Sequence, residues 1–201
     1  MAEGETPRVR PLEPPYPEEI QRLLSRWMVS APEREPLKLF RTLAVHPELA
    51  SRMGVLSGLL LGHPLIDPRE REIVIHRTTA RSGAEYEWGV HAAIFGTPLG
   101  LSEHQLHATV HGAADDPAWS DREALLVALA DELHETGEIT DALWLQLERR
   151  WNHAELLELI VTAGWYRLIS QVLRAIGIEA EPWAPRFPRS ARAASNAHQP
   201  S

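Results

Sequence analysis

Cysteine is absent from this 201-residue chain. Without a thiol there can be no disulfide, zinc–thiolate site or iron–sulfur cluster, and no thiol nucleophile or thiol peroxidase chemistry. Basic charge is also short: 20 Lys and Arg stand against 28 Asp and Glu, a net charge of −8. Nucleic-acid affinity rests on basic contacts, so no nucleic-acid partner is expected. Long apolar runs are missing as well. The longest lies near Leu156–Ile169 and carries Glu158 and Arg167, which reads as a buried helix rather than a membrane span. The opening residues hold no apolar signal-like core, so a cytoplasmic protein without a membrane partner is expected.

What is present is mostly helix. Residues 1–17 carry five prolines and read as an extended arm. Residues 181–201 read as a flexible tail, with Trp183 and Phe187 as residues that could dock. Between them, helix starts recur. Asp67-Pro68-x-Glu70 offers a cap, a proline at the first helical position and a first-turn acid. Ser102-x-x-Gln105, Ser120-x-x-Glu123 and Asn152-x-x-Glu155 are capping boxes, and Thr140 or Asp141 caps a further start. Glycines 62, 83, 100, 112 and 137 mark stops. The helices predicted are 18–28, 36–45, 47–61, 68–82, 84–97, 103–111, 121–136, 141–150 and 153–177. No period-2 alternation competes with them, so one all-α domain is expected over 18–180.

Three residues carry candidate chemistry. Glu72 precedes Ile73-Val74-Ile75 inside a strongly apolar helix. A carboxylate placed there is either a structural partner of Arg69 or Arg77 or a proton-transfer group with a shifted pKa. Glu87 and His91 lie four apart and share one helical face. They are either a surface pair or a carboxylate orienting an imidazole for work near neutral pH. His104, His107 and His111 also share a face, which reads as solvated histidines rather than a metal site. No metal or organic cofactor is expected.

The spacing E-x11-Ala84-x2-Glu87-x3-His91, counted from Glu72, resembles the core motif of the alkylhydroperoxidase-D-like and carboxymuconolactone decarboxylase superfamily. LIDPREREIVIHRT at 65–78, EYEWGVH at 85–91 and ELLELIVTAGWYRLISQ from 155 resemble the decarboxylase-type branch. Together with LKLFRTLAVHPELA at 37–50, they extend the resemblance over about 36–180. The resemblance implies an AhpD-like helical bundle assembled as trimers or hexamers. It implies that Glu72 and His91 transfer protons, with Glu87 orienting His91. Trp88 and Phe95 would wall the pocket, although Phe95 reads equally well as core. In the peroxidase branch positions 84 and 87 are cysteines; here neither is, which leaves acid–base chemistry. The implied function is a cofactor-free lyase acting on a small organic acid or lactone. The alternative is a non-catalytic binder or assembly protein on the same fold.

Overall fold

A computed structural model describes residues 6–28 and 33–189. Among them the secondary structure is entirely helical: α1 Glu18–Trp27, α2 Lys38–Leu43, α3 Pro47–Gly62, α4 Pro68–Arg81, α5 Glu85–His91, α6 Glu103–His111, α7 Asp121–Glu135, α8 Asp141–Leu147 and α9 His153–Ile176. The local start signals operate as read. The Asp67 side chain accepts from the Arg69 and Glu70 amides ahead of Pro68. All three capping boxes close, and Thr140 rather than Asp141 caps α8.

α4 is the central rod. Nine consecutive residues from Arg71 to Thr79 are buried, because α5, α6, α7 and α9 surround it. A helix enclosed on all sides must partner its own polar groups. Arg77 does so with a two-pronged bond to Asp131 at 2.7 and 2.8 Å and further bonds to the Thr109 and Gly112 carbonyls. The main core runs through Ile73, Val74, Leu126, Leu129, Leu156 and Leu159. A second apolar layer, with Leu39, Tyr86, Val90, Ile169 and Leu173, lies between α2, α5 and α9. α9 alone among the described helices is long and apolar enough to cross a bilayer, yet its Leu156, Leu159 and Ile169 belong to these cores.

The chain between α4 and α5 reverses at Gly83, whose φ of +65° is the left-handed region that favours glycine. The helix expected over 84–97 is not uniform. After His91 the backbone widens into a π-helical turn over Ala92–Gly96, closed by Thr97 N–H donating to the Ala92 carbonyl at 3.1 Å. Such one-residue expansions redirect side chains and cluster at functional sites. Gly96 at its end faces His76 so closely that a Cβ would stand 2.9 Å from the imidazole Cε1.

Both flanks pack on the body. Residue 8 of the arm donates its N–H to the Ile176 carbonyl at 2.8 Å, and Glu13 pairs with Arg41 at 2.7 Å. Residues 181–189, expected as the start of a flexible tail, are instead bound to the domain. Glu181 accepts from the Lys38 amide at 2.7 Å and from the Tyr86 hydroxyl at 2.6 Å. Glu85 holds Arg186 and the Phe187 amide, and the Phe187 ring meets Trp88 at 5.5 Å. The aromatics and one acid supply enough contacts to order this segment. Residues 190–201 and 1–5 lie outside the described part, as does the portion of the arm and tail expectations that falls on them.

Candidate active site

The Gly83 turn folds α5 back on α4 and brings Glu72, Glu87 and His91 together. His91 Nδ1–H donates to Glu72 Oε2 at 2.8 Å, and His91 Nε2 stands 3.6 Å from Glu87 Oε1. Glu72 is fully buried and His91 is 3% exposed. The other oxygen of Glu72 accepts from Arg71 Nε at 3.2 Å and Nη2 at 3.1 Å. Neither Arg69 nor Arg77 reaches Glu72. Arg69 pairs with Glu123, and Arg77 with Asp131. The true partner, Arg71, is the adjacent residue; its guanidinium curls back and continues to the Leu60 and Leu61 carbonyls at the end of α3.

Burial opposes charge on His91, but the Glu72 and Glu87 carboxylates outweigh it and raise its pKa to about 9. The ring is then an imidazolium near neutral pH, with a proton on both nitrogens. Burial pushes the Glu72 pKa up; His91, His76 and Arg71 push it further down, so the net shift is downward. His76, one helical turn from Glu72, behaves oppositely. Burial leads, and with His91 nearby it lowers the His76 pKa to about 4 despite Glu72. Its Nδ1–H donates to the Glu72 carbonyl at 2.7 Å, while its Nε2 has no partner. Two histidines beside one carboxylate are therefore held in opposite charge states.

His91 and Glu87 form the polar corner of a cavity of ≈ 100 Å³. Its walls are apolar and come from several elements: Trp27, Phe40, Met53, Phe95, Trp165 and Ile169. Tyr166 completes the corner; its ring meets the His91 ring edge-on at 4.9 Å. Burial leads the rise of the Tyr166 pKa well above its usual value, and Glu87 and Glu72 add to it. The hydroxyl thus stays a neutral donor. Glu87 Oε2 is buried without a hydrogen-bond partner and belongs to a residue that lines this space.

The expected site residues do not all land where they were placed. Phe95 is a wall, stacked obliquely on His91 at 5.1 Å. Trp88 is not: its Nε1–H donates to Thr109 Oγ1 at 2.9 Å, and its ring sits between His76 and Phe187. Consecutive helical positions diverge by about 100°, so a neighbour of Glu87 cannot share its direction. Arg71 and His76 escaped the sequence reading as site residues. His76 had a readable signal, since it lies four residues from Glu72 on the same helical face. His104 stands outside the site, 3.4 Å from Asp116 on the surface.

No family model matches the chain, and no curated protein matches it in sequence. Solved structures do match in shape. A peroxidase-related protein from Silicibacter sp. TM1040 superposes with a TM-score of 0.78 at 16% identity, over 94% of this chain and 100% of that one. The debrominase Bmp8, in complex with 2,3,4-tribromopyrrole, gives 0.76 at 13% identity, over 97% and 99%. An AhpD-like protein of unknown function from Agrobacterium tumefaciens gives 0.61 at 18%, over 69% and 94%. At these identities the likeness is one of fold. The chain has the all-helical AhpD-like fold, shared by a debrominase and peroxidase-related proteins.

Proposed function

We propose that the protein is a cofactor-free enzyme of acid–base chemistry, acting on a small organic acid or lactone bound in the apolar cavity. The observation that supports this most directly is the polar corner. An imidazolium, the Glu87 carboxylate and a neutral phenol line one end of a pocket with otherwise apolar walls. Such a corner suits an enolate-forming reaction. Glu87 takes or returns a proton at carbon, and His91 Nε2–H and the Tyr166 hydroxyl stabilise the oxygen that gains charge. Glu72, sealed behind His91 and tied to Arg71, holds the imidazolium in place. This reverses the division of labour suggested by the resemblance, in which Glu87 oriented His91.

Two reactions use this machinery. In a decarboxylation, carbon dioxide leaves a carboxylate placed β to a carbonyl, and the resulting enolate is protonated. In an isomerisation, a proton leaves one carbon and returns to another. A non-catalytic binder is the competing reading, drawn from the apolar walls alone. A turnover screen of lactones and keto acids with wild-type protein, Glu87→Gln and His91→Gln separates them. Removal of a positioned acid or base is expected to lower turnover by about 10²–10⁴-fold while ligand binding persists. Binding without turnover by the wild type would favour the binder.

We also propose a homo-oligomer, a trimer or hexamer by the resemblance. Val55 and Leu59 on α3, and Leu157, Val161 and Leu168 on α9, are large apolar side chains left exposed on one chain.

A further inference from the structure

The charge inventory of the cavity bears on what can enter it. Among the described residues, neither Lys nor Arg lines it. The ionisable or hydroxyl-bearing side chains at the wall are Glu87, His91, Tyr166 and Ser57, and Ser57 faces its own helix, donating to the Gly54 carbonyl at 3.5 Å. The Arg71 guanidinium lies on the far side of Glu72 from His91, engaged by Glu72 Oε1 and two carbonyls. Glu72 and Glu87 carry two negative charges, and Arg71 and His91 two positive ones, so the corner is already balanced. A carboxylate ligand would add an uncompensated charge beside Glu87, inside apolar walls. Buried charge is tolerated only when paired. Among the described residues the one cation facing the cavity, His91, is already shared by two carboxylates.

From this geometry we infer that the substrate class is an uncharged, carboxylate-free carbonyl compound of ring size, such as a neutral lactone or enone. The inference rests on the acid–base reading above and narrows it: with no carboxylate to lose, the reaction is an isomerisation rather than a decarboxylation. Its balance is closed. The Glu87 carboxylate removes a proton from the carbon next to the carbonyl, and the C–H electron pair forms an enolate. The carbonyl oxygen takes the charge between His91 Nε2–H and the Tyr166 hydroxyl. The same proton returns from Glu87 to a conjugated carbon. No oxidant, reductant or co-substrate is consumed. A neutral carbonyl oxygen matches two donors, whereas a carboxylate would also face an acceptor.

The test is a binding comparison on the full chain, read by quenching of tryptophan fluorescence, since Trp27 and Trp165 lie in the wall. Phthalide, a neutral lactone, is set against 2-(hydroxymethyl)benzoate, its ring-opened anion, near neutral pH. Phthalide is expected to bind at least about tenfold more tightly, equivalent to ~1.4 kcal/mol. In Glu87→Gln the benzoate is expected to gain affinity by a similar factor, with phthalide changed by less than about threefold. Benzoate binding as tight as phthalide, no phthalide binding at millimolar concentration, or a Glu87→Gln variant that leaves the benzoate unchanged would overturn the inference. The broader reading fails differently: His91→Gln would leave turnover of an identified substrate untouched, whatever the ligand preference.

Discussion

At the scale of the residue, His91 and His76 divide one carboxylate between two opposite charge states, and stability should record it. The His91 pKa is raised to about 9, so its contribution is complete below the unfolded value of about 6.5 and disappears as pH rises through 9. The His76 pKa is lowered to about 4, so its neutral form favours the fold above about 6.5 and becomes a penalty as pH falls toward 4. The two opposing slopes place the stability maximum near pH 6.5 for this pair. Denaturant unfolding of wild type and His91→Gln from acid to alkaline pH measures it. The wild-type advantage should shrink between about pH 6.5 and 9, by on the order of 3 kcal/mol. A constant difference across that window would mean that His91 is not held protonated. The meeting of Glu72, Glu87 and His91 was legible because helical spacing and a glycine turn fix which faces oppose each other. The Arg71–Glu72 pair was not, because adjacent residues on a helix normally diverge, and only the surrounding burial turns the guanidinium back.

At the scale of the element, α4 shows why local rules read the helix but not its environment. Its start at Asp67-Pro68 is a matter of adjacent residues and was legible in full. Its enclosure by four other helices comes from tertiary packing, which leaves little local trace. Arg77 is the most exacting consequence. Arg77→Ala would leave Asp131 without its two-pronged partner and remove a donor from two carbonyls. Breaking a buried pair on one side costs about 3–5 kcal/mol; Asp131 is partly exposed and keeps Arg81 at 3.3 Å, so the expected cost is near the lower end, about 3 kcal/mol. Asp67→Ala, by contrast, should cost only about 1 kcal/mol, as loss of a helix cap does. Thermal unfolding of the two variants ranks these effects, and the reverse order would contradict the role given to α4. The π-helical turn at Ala92–Gly96 was not legible either, since its sequence keeps an ordinary helical pattern. Nor was the docking of 181–189, where Glu181, Arg186 and Phe187 find partners far away in sequence. Tyr86→Phe removes the hydroxyl that joins Glu181 to the Leu39 amide. It should destabilise the protein by about 1–3 kcal/mol and loosen this segment first, visible as faster proteolysis beyond residue 180. Unchanged cleavage there would detach the segment from the fold's stability.

At the scale of the whole molecule, the cavity gathers its walls from α1, α2, α3, α5 and α9, which explains why the meeting of Glu72, Glu87 and His91 was readable and the shape of the cavity was not. Spacing announces a carboxylate beside an imidazole; apolar walls look like any other core. The exposed apolar residues of α3 and α9 give the remaining expectation, an assembly of copies. Light scattering should return a multiple of the 22.6 kDa chain mass. A Leu157→Glu and Val161→Lys double variant should shift it toward one chain, because both side chains lie exposed one turn apart on α9. Wild-type protein that stays at one chain mass at micromolar concentration would contradict this.

A buried imidazolium, held by Glu72, lines the cavity beside Glu87. Nitrogen-15 NMR of imidazole-labelled protein, with His91 assigned by its absence in His91→Gln, tests it most directly. Both His91 nitrogens should carry protons at neutral pH and titrate near the pKa of about 9. A neutral His91 ring at pH about 7, titrating at or below the ordinary value of about 6.5, would contradict the account.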